Sequence, residues 1–211
     1  MTVRPMSVVL LAGLLMLYVS GAAAQPVDAE SHRETEPIPT LEGRHGVSFG
    51  VGLLPDAQVN PGTVSANGFL ASLSYAYWPH AEWGVEVSAS LHESELTGGN
   101  AASVTSLLFG ASYYPEALAL GSFARPYVGV AAGPYVGSET HAGIGGAGTR
   151  TQTVVGARLG AGIDAFAWSW LRLGLRAAYH AAPEYENAPG AIQSPSGAQV
   201  SFEFGVTFGG R

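Results

Sequence analysis

Along most of the chain after residue 43, hydrophobic and polar positions alternate one by one. The stretch HGVSFGVGL sets Val47, Phe49, Val51 and Leu53 against Gly46, Ser48, Gly50 and Gly52. WGVEVSASLH repeats the pattern, with Trp83, Val85, Val87, Ala89 and Leu91 against Gly84, Glu86, Ser88, Ser90 and His92. In LRLGLRAAYH the two arginines lie four apart, which on a helix would stack them on one face but scatter Leu171, Leu173 and Leu175 round the cylinder. As a strand the segment separates cleanly, leucines to one side and Arg172 and Arg176 to the other. Similar runs pass through Phe69–Tyr77, Leu107–Tyr113, Val128–Ala132, Val155–Ile163 and Val200–Phe208, so the pattern predicts eight strands. Each is about ten residues long, the length of a tilted strand that crosses a bilayer, whereas strands in soluble domains run nearer five or six.

The connections alternate as well. PHAE, AFAWSW and the somewhat longer PEALALGSFA join strands two to three, six to seven and four to five. The other four, at about 55–66, 93–101, 138–150 and 181–197, are longer or richer in Gly, Pro and Asn. Short turns at one end, long loops at the other and an even strand count describe an all-β, eight-stranded antiparallel up-and-down transmembrane β-barrel over residues 43–211.

Composition decides which face meets water. Charged residues make up 12% of the chain, about half the ~25% of an ordinary soluble domain. The second face of the strands is mostly Gly, Ser and Ala, which suits the crowded interior of an eight-stranded barrel better than a solvated exterior. Aromatics stand near the ends of the apolar face at Tyr77, Trp83, Tyr113, Tyr179 and Phe208, as interfacial girdles require. The inward parity then carries Glu86, Arg158, Asp164, Arg172, Arg176 and Glu203, three acids and three bases, as a structural charge network in the lumen. Symmetric pairing about the turns places 164 opposite 172 and 203 opposite 176, leaving Arg158 and Glu86 to meet across the lumen.

The N-terminus, MTVRPMSVVLLAGLLMLYVSGAAAQ, has one base before a short apolar run and then small residues, which predicts a cleaved signal peptide over 1–24. Residues 25–42 are acidic and carry prolines without apolar periodicity, as a flexible leader does. With no cysteine, disulfide stapling and thiol chemistry are excluded. A net charge of −7 without a single lysine argues against a nucleic-acid partner.

The segments RPYVGVAAGPYVG, GARLGAGID and VSFEFGVTF resemble the eight-stranded outer-membrane barrels of the OmpA-like and OmpW-like type over about residues 43–208. The last segment is similar to that family's assembly signal, with Phe208 followed here by Gly209, Gly210 and Arg211. The resemblance implies location in the cell outer membrane, contact with lipid and lipopolysaccharide, passage by periplasmic chaperones and the barrel assembly machinery, and a monomer. It implies a non-enzymatic envelope protein that presents surface loops; the alternative is a narrow conduit for small or apolar solutes, and a remote one is a lipid A-modifying enzyme. For the last, His92 with Ser94 and His180 with Glu184 and Glu186 are the candidates, but HESE departs from the His-x-Ser-Asn stretch of the lipid A deacylases and YHAAPE has no serine. GIGGAG at 143–148 fits a dinucleotide string by spelling only, since an alternating segment and not a helix follows; a flexible surface loop is expected there. Neither a cofactor nor a metal site is expected: His32, His45, His80 and His141 show no ligand spacing, and His92 and His180, which end strands on the lumenal side where a metal at the mouth is conceivable, are read as solvated rim histidines.

Overall fold

The computed structural model describes residues 40–54, 68–95, 101–121, 123–143, 146–186 and 194–210. Eight strands follow one another as β1 (Arg44–Leu54), β2 (Gly68–His80), β3 (Trp83–Glu95), β4 (Ala101–Tyr113), β5 (Ala124–Gly143), β6 (Gly146–Phe166), β7 (Leu171–Ala181) and β8 (Gly197–Gly209). Each pairs antiparallel with the next, and β8 closes on β1, giving a barrel without a free edge around its body. A short 3-10 turn, Glu116–Leu118, lies between β4 and β5.

The alternation read from the sequence becomes the inside and outside of this wall. Val130 (60% exposed), Leu159 (64%), Leu175 (53%) and Phe202 (49%) stand outward, while Ser88, Arg172, Arg176, Ser201 and Glu203 are buried within. An outer surface of this kind inverts the arrangement of a water-soluble domain and is stable against hydrocarbon. At the end with the short turns, His45 stacks on Phe208 (centroids 5.6 Å apart) and lies 4.8 Å from Tyr77, while Trp83 and Tyr113 are 4.9 Å apart. Tyr179, 54% exposed and two residues before the end of β7, belongs to the opposite rim.

Two expectations need correction. Residues 138–143 and 146–150 are strand, not loop: β5 and β6 run 20 and 21 residues and pair as far as Gly143↔Gly146, while residues 144–145 of GIGGAG fall outside the described residues. The run Thr149, Thr151, Thr153 and Val155 supplies the β-branched side chains that extend the strand, a signal masked by the glycines before it. The second correction is register. Asp164 lies opposite Gly174, not Arg172, and Glu203 also lies opposite Gly174, not Arg176. The β6–β7 turn is shorter than AFAWSW, residues 167–170 only, and is centred one residue later than symmetric pairing assumed, with the amide of Leu171 donating to the Trp168 carbonyl (3.2 Å). The signal-peptide and leader segments, apart from residues 40–42, lie outside the described residues, as do the tips of all four predicted loops.

Candidate functional site

The lumen is layered, and each layer follows from residues of inward parity. At the turn end, Leu41, Ala76, Trp78, Tyr114, Tyr127 and Phe166 pack into an apolar floor. Trp78 can lie flat there because Gly46 and Gly84 face it; a Cβ on either would come within 2.9 Å of the indole. At the loop end a second apolar group includes Val104, Leu108, Tyr135 and Tyr185. Tyr185 lies against Gly137, and burial pushes its hydroxyl up to about 12.

Between these layers the six predicted charges form one unbroken alternating chain. Asp164 meets Arg172 at 3.4 Å, Arg172 meets Glu203 at 2.9 Å, and Glu203 meets Arg176 at 3.1 Å. Arg176 continues to Glu86 at 2.9 Å, and Glu86 to Arg158 at 2.7 Å. The register puts Gly174 beside both Asp164 and Glu203, and the arginines at 172 and 176 reach past it on their long stems to join the acids.

Hydroxyls add to the coordination. Tyr114 donates to Asp164 (2.9 Å), and burial together with that carboxylate raises the Tyr114 pKa well above a phenol's usual value, so it stays a donor. Arg176 donates to the Tyr127 hydroxyl (2.9 Å), and Arg172 to Ser48 (2.8 Å), which in turn contacts Ser74 (2.7 Å). The guanidinium of Arg172 also lies 5.9 Å from the Trp78 ring centroid, tying the charge layer to the apolar floor. The void left beside Glu86, Tyr127, Arg158 and Arg176 is about 10 Å³, room for a single water.

Above the charges runs a neutral chain. Gln199 Nε2 donates to Ser201 (3.2 Å), which leaves its Oε1 to accept from His180 Nε2 (2.5 Å). His180 Nδ1 then accepts from the Tyr135 hydroxyl (2.8 Å). His180 is thus engaged by Tyr135 and Gln199, while Glu184 and Glu186 are exposed in the loop beyond. His92 is buried in the lumen, and the side chain of Ser94 lies outside the described residues. No group of three or more potential metal ligands occurs among the described residues.

The six charges were legible in the sequence, whereas Trp78 and Tyr127, which contact Arg172 and Arg176, and Tyr135 and Gln199, which engage His180, were not singled out. The signal was present in the parity: Trp78 follows Ser74 and Ala76, and Tyr127 and Tyr135 share parity with Ala131. Tyr114 and Tyr185 lie just outside strands, where alternation says nothing.

No protein-family model and no curated protein matches the sequence. Among solved structures, Neisserial surface protein A (NspA) is similar at TM-score 0.55 and 14% identity, over 80% of this chain and 98% of that one. The attachment invasion locus protein Ail of Yersinia pestis is similar at 0.53 and 14%, over 79% and 99%. This chain has the fold of the eight-stranded outer-membrane β-barrels. The outer membrane protein OprG from Pseudomonas aeruginosa belongs to the same group of neighbours, at TM-score 0.52 and 14% identity over 83% of this chain and all of that one. As in any outer-membrane barrel, the closed wall satisfies the backbone within hydrocarbon, and the lumen is where chains of this fold differ in polarity and filling.

Proposed function

We propose that the chain is a non-enzymatic protein of the outer membrane, with a sealed lumen, that reinforces the envelope and presents its loops outside. The observation that carries this reading is the continuous chain from Asp164 to Arg158, which joins side chains of β3, β6, β7 and β8 into one cross-brace and leaves about one water's volume beside it. On this reading the short turns face the periplasm and the long connections face outward, with Glu93, Glu184 and Glu186 exposed among them. Exposed carboxylates favour divalent cations or basic partners over bare phosphate. The remaining partners are outer-membrane lipid and lipopolysaccharide, the periplasmic chaperones and the barrel assembly machinery, with the protein acting as a monomer.

Planar-bilayer recording of the refolded protein tests this. A sealed lumen gives no resolved conductance steps; reproducible steps would assign the barrel to solute conduction instead. The enzymatic alternative has its own check: lipid A from cells with and without the protein should show the same acyl pattern by mass spectrometry.

A further inference from the structure

Two short turns at one end of the barrel carry an apolar surface that neither the wall nor the lumen accounts for. In the β4–β5 turn, Leu118, Leu120 and Phe123 are 57%, 54% and 61% exposed; in the β6–β7 turn, Trp168 and Trp170 are 61% and 52% exposed. The turns are joined, since the Phe166 amide donates to the Phe123 carbonyl (2.7 Å). Both are held in shape. The Leu120 amide donates to Ala124 (2.9 Å), and Gly121 takes a positive φ of 62° to make that reversal. Earlier in the first turn, the Glu116 amide donates to the Glu82 carboxylate (3.0 Å). In the second turn the Ser169 carbonyl accepts from Arg44 and from the Thr207 hydroxyl (2.9 Å), and the Thr207 amide donates to the Trp170 carbonyl (2.7 Å). This backbone clamp keeps Trp168 and Trp170 stacked, 5.8 Å between centroids and 10° between planes, with both rings still exposed.

The rest of this end is different. The β2–β3 turn presents Pro79 and His80, and the chain before β1 presents Thr40 and Glu42. The apolar turns are therefore confined to the β4–β7 side, where they continue the outward band of Val128 and Val130. Apart from Glu116, the described residues of the two turns carry no charge, so electrostatic attraction contributes little there. A rigid, uncharged aromatic surface continuous with a lipid-facing wall fits the headgroup boundary, where indole rings keep an apolar body and a polar edge satisfied together.

We propose that these two turns form a foot immersed in the phospholipid leaflet at the turn end, sinking the β4–β7 side deeper than the β1–β3 side. The proposal rests on the membrane reading above, and its test separates the two. Because the chain has no cysteine, single cysteines report on their own positions. Leu120→Cys, Trp168→Cys, Pro79→Cys and Val130→Cys, each spin-labelled and refolded into phosphatidylcholine vesicles, are compared by collision with oxygen and with a water-soluble nickel chelate. Labels at 120 and 168 should favour oxygen, as the wall position 130 does, while 79 favours nickel, and adding phosphatidylglycerol should leave the depths unchanged. If 130 is immersed but 120 and 168 are as aqueous as 79, the foot is overturned and the patch is free for a periplasmic protein. If 130 itself is aqueous, the membrane reading fails. Brominated lipid gives a readout that does not depend on labelling: unsubstituted protein should lose more tryptophan emission than Trp168→Phe, Trp170→Phe, and equal loss would also overturn the proposal.

Discussion

Arg176 sits at the centre of the lumenal chain, bonded to both Glu203 and Glu86. Removing it alone leaves Glu86 with Arg158 but strands three groups, Asp164, Arg172 and Glu203, with one uncompensated negative charge. Arg176→Ala should therefore cost about 3–5 kcal/mol, the usual penalty for breaking a buried pair. Removing Glu203 as well leaves two neutral pairs, Asp164 with Arg172 and Glu86 with Arg158, so the double variant should be more stable than Arg176→Ala. Urea unfolding in phosphatidylcholine vesicles reads both, and a double variant weaker than the single one would contradict the chain as drawn. Glycine has an equally local role beneath Trp78. Gly84→Ala puts a methyl within 2.9 Å of the indole and should cost about 1–3 kcal/mol as overpacking, reduced when Trp78 is also made Leu.

At the level of single strands, the wall follows from parity, and parity was legible because most outward residues in the body of the wall are apolar and many inward ones are Gly, Ser, Ala or charged. Val130, at 60% exposure in the body of β5, faces the hydrocarbon, whereas Thr105 lies outward toward the loop end of β4. Val130→Arg should cost about 2–4 kcal/mol and Thr105→Arg about 0–1, following the depth dependence of charge on a barrel exterior. Folding yields into vesicles of known thickness measure the difference; equal costs would mean that the two positions lie at one depth. Register was less legible. It depends on where each turn is centred, and the bond from Leu171 to Trp168 shifts the β6–β7 pairing by two residues without disturbing which side chains face inward. The charges still meet because arginine spans more than the error. The length of the β5–β6 hairpin was hidden for another reason: five glycines between 143 and 156 dilute the alternation, although Thr149, Thr151 and Thr153 continue it.

For the whole molecule, the inversion of polarity is the claim from which the location derives and on which the proposed sealed lumen and immersed foot rest. It was legible in the scarcity of charge, 12% of residues, before any contact was known. The aromatic floor and Tyr127, which accepts from Arg176, were not legible there, because composition cannot tell an inward ring from an outward one. The most direct test is the amphiphile dependence of folding. Residues 25–211, diluted from urea into buffer alone or into buffer with phosphatidylcholine vesicles, are compared by circular dichroism and by gel mobility before and after heating. β-structure and a heat-modifiable band should appear only with the vesicles; a folded, monodisperse protein in buffer alone would contradict the account.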